Sequence, residues 1–221
     1  MWFSSQACRR SPGLAKALGI PMEDLVKNLY NYSKGENMRK LIMWNLITLD
    51  GYFEGEKNWD LDFHNLVWGE ELEQLSIEQL KSADMLVFGR VTYEGMAKHW
   101  PNEKGEVADF MNRIHKVVCS RSLKTADWNN TIIVKDAIAE LPKLKQQGNG
   151  DMFVFGSGKL CEALMKADLF DEYRLAIVPV FLGKGKRLFN QGLNYQQLNL
   201  LEARPLSTGG IILRYAKHTE T

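Results

Sequence analysis

The chain has 221 residues, 45% of them hydrophobic and 25% charged, which supplies apolar material for one large globular domain and excludes disorder along its whole length. Lysines and arginines number 28 against 27 acids, a net charge of +1, so no bulk charge draws it to nucleic acid or an anionic membrane. Three cysteines without metal-ligand spacing and four scattered histidines give no metal motif, and a reducing cytoplasm is the expected setting.

Residues 1–37 read as an N-terminal extension. Ser11-Pro12-Gly13 breaks early structure, Leu14 to Tyr30 has the pattern of a short helical pair interrupted at Gly19-Ile20-Pro21, and residues 32–37 form a polar linker. Arg9 and Arg10 are not followed by an apolar stretch, so no signal peptide is read there, and no apolar run is long enough to span a bilayer. Residues 14–25 resemble the tail of a phage-repressor-type helix-turn-helix, too short to be a whole one. The segment reads as a docking arm or the product of an upstream translation start.

The main domain is expected over 38–217, with 218–221 as a tail. Lys40 to Leu49 reads as a strand ending at the turn Asp50-Gly51. Glu70 to Lys81 has helical spacing through Leu72, Leu75 and Leu80. The pattern then predicts a strand over Met85 to Phe88, a helix over Val107 to Ile114, and strands over Lys116 to Ser120 and Thr131 to Val134. Next come a helix from Ala137 to Gln147 that Pro142 confines or kinks, a strand over Met152 to Phe155 and a helix over Lys159 to Lys166. Strands over Tyr173 to Val180, Gln197 to Ala203 and Gly210 to Ala216 complete the series, the last two with no helix between them and so antiparallel. Short, fully apolar strands alternating with helices predict an α/β fold, a mostly parallel sheet covered on both faces.

Ligands of such sheets collect at the carboxyl ends of strands, and three strand ends stop at small or basic residues. In Phe88-Gly89-Arg90-Val91-Thr92, Gly89 permits a tight turn into a helix whose free N–H groups favour an anion, and Arg90 adds a planar charge suited to phosphate. Ser120-Arg121-Ser122 places two hydroxyls around a guanidinium, a set that suits a monoester phosphate such as the 2′-phosphate of NADP. Phe155-Gly156-Ser157-Gly158-Lys159-Leu160 lets a pyrophosphate approach a helix N-terminus. It matches neither the dinucleotide fingerprint nor a Walker loop. Each segment also has a plain reading as a surface turn.

Taken in order, Asn45-Leu46-Ile47-Thr48-Leu49-Asp50-Gly51, Phe88 to Glu94, Phe155 to Leu160, and Asp171 to Leu175 leading into Pro179 to Phe189 are similar to the dihydrofolate-reductase-like superfamily. Within it the chain most resembles stand-alone relatives of the riboflavin-biosynthesis reductase domain. The resemblance implies a three-layer sandwich with a central sheet of about eight strands, NADPH as cofactor and a homodimer. It implies that Gly89, Arg90, Val91 and Thr92 grip the phosphates, that Ser120, Arg121 and Ser122 sit near the 2′-phosphate, and that Gly156, Ser157, Gly158, Lys159 and Leu160 hold the pyrophosphate. Asn45, Leu46 and Thr48 would line the nicotinamide pocket, Gly51 would shape a loop over it, and Pro179, Leu182 and Gly183 would border the substrate. Counting back to the helix before the Gly-Arg turn puts Glu73 at the expected proton donor, with Asp62 and Asp60 as rivals and a solvated face as the plain alternative. Trp59 reads either as a cap stacking on a planar heterocycle or as a core tryptophan.

The implied activity is NADPH-dependent reduction of a pteridine- or pyrimidine-type heterocycle, or of its ribosylamino derivative as in reduction of 5-amino-6-(5-phosphoribosylamino)uracil. True dihydrofolate reduction and a non-catalytic NADP(H)-binding or regulatory role are the alternatives. The sequence contains no His-x-Glu with a later Pro-Cys-x-x-Cys, so no deaminase zinc motif accompanies the reductase.

Overall fold

The computed structural model describes Pro21 and residues 39–218; the expectations for the N-terminal extension and the last residues of the tail lie outside these, apart from Pro21 and His218. Lys40–Thr221 forms one compact unit. In chain order it holds β1 (Leu41–Thr48), β2 (Tyr52–Glu54), a 3-10 turn (Asp62–Leu66), α1 (Glu70–Ser82), β3 (Ala83–Gly89) and α2 (Arg90–His99). Next are a 3-10 turn (Trp100–Asn102), α3 (Glu106–Arg113), β4 (His115–Cys119), β5 (Thr131–Val134), α4 (Ala137–Lys145), β6 (Asp151–Phe155) and α5 (Gly158–Lys166). The unit closes with β7 (Glu172–Val178), β8 (Lys186–Arg187), β9 (Leu198–Pro205) and β10 (Ile211–Lys217).

Eight strands form one sheet in the order β5-β4-β3-β6-β1-β7-β10-β9. The first six are mutually parallel, while β10 runs antiparallel to both β7 and β9. The expected α/β sandwich with an antiparallel C-terminal pair is therefore the fold. Its two faces follow from the two-residue period of a strand. Ile42, Trp44, Leu86, Phe88 and Phe153 face one way and meet Leu72, Leu75 and Leu80 of α1, Tyr93 of α2, and Phe110 and Met111 of α3. Met43, Val87, Met152 and Val154 face the other way, onto Leu141 of α4 and Cys161 and Leu164 of α5. Phe88 and Phe153 are fully buried, and each such side chain contributes roughly 1.5–3 kcal/mol.

Pro142 sits inside α4, and the helix runs on to Lys145. It is therefore shorter than expected, ending before Gln147. The two-stranded β2–β8 ribbon has no counterpart in the sequence pattern, since strands of two or three residues carry no measurable periodicity. The ribbon matters because it carries Phe53, Glu54 and Lys186 to the site.

Candidate functional site

Because β1, β3, β4, β5 and β6 are parallel neighbours, their carboxyl ends lie along one edge of the sheet, and the loop leaving each strand must gather there. A cavity of about 870 Å³ opens along that edge, within the range of about 300–1,000 Å³ usual for small-molecule sites. It is lined by Asn45 and Leu46 of β1, by Gly89 to Thr92, by Cys119 to Arg121, by Lys135 and by Phe155 to Leu160.

The loops brace one another. The Ser157 hydroxyl accepts from the Gly89 backbone N–H at 2.9 Å and donates to the Phe155 carbonyl at 3.0 Å. A methyl group added at Gly156 would lie 3.4 Å from the Thr92 side chain. Gly156 and Ser157 are consecutive left-handed residues, with φ of 55° and 62°, and they aim the first turn of α5 at the cavity. Its opening N–H groups have no intrahelical acceptor. Gly89 itself has φ −76°, so the turn there makes no use of glycine's left-handed freedom. Ser157, expected as an extra phosphate hydroxyl, is committed to holding the two loops together.

The charged part of the lining is mostly cationic. Arg90, Arg121, Lys135, Lys159 and Lys186 line the cavity against a single carboxylate among the described residues, Glu54. Arg90 is held by Glu94 at 2.9 Å, and Lys186 is ion-paired with Glu54. Arg121, Lys135 and Lys159 are exposed and have no partner among the described residues. Ser120 is buried, and its hydroxyl accepts from the Ser122 and Leu123 N–H groups at 3.2 and 3.0 Å, which fixes the loop that carries Arg121. Lys135 comes after β5 as Arg121 comes after β4, and the strand-end rule that found the other loops would have found it too.

Aromatic side chains share the lining: Trp44, Trp59, Trp68 and Trp100 together with Phe53. Trp59 has φ 66° and remains 37% exposed. Its backbone N–H donates to Glu54 Oε1 at 2.6 Å, and its indole lies on α2, where a methyl group at Gly95 would fall 1.8 Å from Cζ2. Phe53 covers Gly158 in the same way, with Cζ 2.5 Å from where a side chain would begin. Four further lining residues escape a sequence search: Ser76 and Gln79 on α1, Asn58, and His64 in the 3-10 turn. Burial pulls the His64 imidazole down to about 4, so it is neutral at pH 7.

Several expected residues stand elsewhere. Glu73 and Asp62 are exposed and line no part of the cavity. Glu73 lies in the first turn of α1, whose cavity-facing residues Ser76, Gln79 and Leu80 come later, and Asp62 opens the 3-10 turn. Thr48, Gly51, Ser122, Pro179, Leu182 and Gly183 are also outside the lining. Thr48, Leu182 and Gly183 are gathered by Asp50, whose carboxylate accepts from the Thr48 hydroxyl at 2.5 Å and from the N–H groups of Leu182 and Gly183 at 3.2 and 2.8 Å. Burial raises the Asp50 pKa, but these hydrogen bonds outweigh it and hold the group below its ordinary value. The motif is a clasp between the exit of β1 and the segment after β7. Asn45, buried, lies 3.9 Å from the Cys161 sulfur, and burial pushes the Cys161 and Cys119 thiols up to about 12, which makes both poor nucleophiles.

Among the described residues no group of three or more His, Cys, Asp or Glu could hold a metal, and no helix is long and apolar enough to cross a membrane.

Comparison with known proteins agrees with the fold. YyaP of Bacillus subtilis (strain 168), an uncharacterized protein, is 28% identical over 183 residues, covering 80% of this chain and 94% of its own. YwjB of the same organism, also uncharacterized, is 27% identical over 162 residues, 73% and 89% of the two chains. Among solved structures, a putative riboflavin biosynthesis protein from Shewanella sp. PV-4 superposes with a TM-score of 0.69 at 18% identity, over 81% of this chain and 99% of that one. Dihydrofolate reductase from Enterococcus faecalis, complexed with NADP(H), gives 0.56 at 13% identity, over 81% and 97%. The family model described as the RibD C-terminal domain matches residues 39–212. The chain belongs to the RibD C-terminal domain family.

Proposed function

We propose that this protein is an NADPH-dependent reductase of a pteridine- or pyrimidine-type heterocycle, or of the ribosylamino derivative of one. The observation that carries the reading is one cavity lined by the first turns of two helices, by three cations unpaired among the described residues and by four tryptophans. That lining suits a doubly phosphorylated carrier beside a planar ring. The dihydrofolate reductase named above was complexed with NADP(H), and the donor set here fits the same group. When bound, NADPH supplies the hydride.

The chain's own residues supply the rest. Arg121 and Lys135, set by Ser120, take the adenosine 2′-phosphate, while the first turns of α5 and α2 with Lys159 and Arg90 take the pyrophosphate. Asn45 and Leu46 form the floor under the nicotinamide. Trp59, seated on Gly95, closes over the heterocycle and excludes water. Glu54, the lining carboxylate, orders the water that delivers a proton to the reduced nitrogen, the task expected of Glu73 or Asp62, which are absent from the lining. The reading includes a homodimer, supported by Leu200 and Leu201 exposed on the edge strand β9.

Fluorescence titration with NADPH and NADH, followed by assay of NADPH oxidation against 5-amino-6-(5-phosphoribosylamino)uracil, dihydrofolate and simple pterins, tests the proposal. Tight, selective NADPH binding with turnover of one heterocycle is expected. Equal affinity for the two cofactors would contradict it. NADPH binding without turnover of any of them would favour the non-catalytic alternative.

A further inference from the structure

One polar group of the cavity lining has no work in the free protein. Gln79 lies in the cavity wall on α1 and is 3% exposed. Its Oε1 accepts from Arg174 Nη1 at 3.2 Å. Arg174 is itself fixed by Glu172, which accepts from its Nε at 2.6 Å, and its guanidinium lies 5.1 Å over the Phe153 ring. A guanidinium only donates, so the Gln79 atom that faces it must be the oxygen. The amide nitrogen is then turned away, buried and without a partner among the described residues. An unmatched buried donor of this kind is costly and favours whatever supplies an acceptor.

A second buried nitrogen of the same cavity, His64 Nε2, is also unpartnered among the described residues, and its ring is neutral at pH 7. The lining carboxylate, Glu54, is engaged by Lys186 and by the backbone of Trp59. Beside that ion pair, Gln79 and His64 offer the cavity uncharged polar atoms, one of which is defined as a donor.

We propose that Gln79 is the specificity-determining residue of the heterocycle site: clamped at its oxygen by Arg174, its amide N–H donates to a ring carbonyl and rejects a ring amino group. The terminal torsion of the amide is soft and moves oxygen and nitrogen together, so a modest turn presents the nitrogen to a seated ring at the expense of lengthening the 3.2 Å contact with Arg174. A ring that carries amino groups in place of carbonyls brings donor against donor, leaving two buried N–H groups unmatched. The assignment rests on the reductase reading only in taking a planar heterocycle as the ligand.

The test uses two probes of one shape, pteridine-2,4-dione and 2,4-diaminopteridine, titrated by tryptophan fluorescence into the full-length protein with and without NADPH. The wild type is expected to bind the dione at least about tenfold more tightly. Gln79→Glu, which replaces the donor by an acceptor, is expected to reverse the order. Gln79→Leu is expected to weaken the dione about tenfold and to relieve the rejection of the diamino ring, so that the preference for the dione is lost, and it serves as the independent check if Gln79→Glu does not fold. An unchanged ratio in either folded variant, a wild-type preference for the diamino ring, or no binding of the dione overturns the proposal. Absence of NADPH binding in the same titrations would sink the reductase reading while the ratio still judges Gln79.

Discussion

Ser157 offers a direct test of the left-handed turn that opens α5. It opens α5 with φ 62° and ψ 48°, it is buried, and its hydroxyl joins the Gly89 N–H to the Phe155 carbonyl. Ser157→Ala keeps the left-handed backbone and removes both hydrogen bonds, leaving the part-buried Gly89 N–H unmatched at a cost of about 1–3 kcal/mol. Ser157→Gly loses the same bonds but relieves the left-handed strain, about 1–2 kcal/mol, against an entropic cost of about 0.5–1 kcal/mol. The glycine variant should thus be more stable than the alanine variant by about 1 kcal/mol, as the left-handed backbone and the N-cap preference for glycine over alanine both require. Thermal unfolding should show the order wild type, glycine, alanine, with about 2–4 °C for each kcal/mol. Both variants should weaken NADPH binding, because loops that no longer brace one another must be ordered by the ligand. An alanine variant as stable as the glycine variant, or one binding NADPH like the wild type, would refute the reasoning.

Other perturbations probe other parts of the molecule. Arg121→Ala and Lys135→Ala should each weaken NADPH about tenfold and NADH little, measured by paired titrations; a parallel loss for both cofactors would move the 2′-phosphate elsewhere. Gly95→Ala gains about 1 kcal/mol of helix propensity but displaces the Trp59 indole, so the heterocycle KM should rise about tenfold while the melting temperature moves only a few degrees. Glu54→Gln should lower kcat more than it changes NADPH affinity, with the loss growing as pH rises and solvent protons become scarcer; a flat kcat would remove Glu54 from the proton route. Glu172 predicts a pH effect on stability. Burial raises its pKa, yet hydrogen bonds and charge from Arg174 and Arg214 outweigh that and hold it below the ordinary value. A depressed carboxylate stabilises the fold above its unfolded pKa, and that contribution disappears as pH falls through the folded value. Denaturant unfolding at pH 7 should show Glu172→Gln less stable by about 3–5 kcal/mol, since a buried arginine loses its counter-charge. The difference should shrink toward the acid end of the carboxylate range; a constant difference across pH would contradict this account.

The sheet was legible because its strands are short apolar runs, and Met85 to Phe88 or Thr131 to Val134 admit few other readings. The loops that line the cavity were legible for a related reason: parallel strands put their carboxyl ends on one edge, so each loop could be found from its own strand. The hidden features depend on pairs distant in the chain. Nothing local marks Gln79 as the polar member of a buried helix face, because its meaning comes from Arg174, 95 residues away. The seat of Trp59 on Gly95 is equally silent, since a glycine within a helical pattern does not announce what lies against it. Counting back to a carboxylate reached Glu73 because spacing fixes a helix but leaves its rotation open by a residue or two.

The exposed cations of the cavity lining have a kinetic consequence. Arg121, Lys135 and Lys159 project into solvent, so an anionic carrier is steered toward them before it touches the wall, and added salt slows that encounter. An uncharged ring feels no such pull. Ionic strength should therefore change the capture rate of one reactant and spare the other, giving the experimenter a handle on the order in which the two arrive.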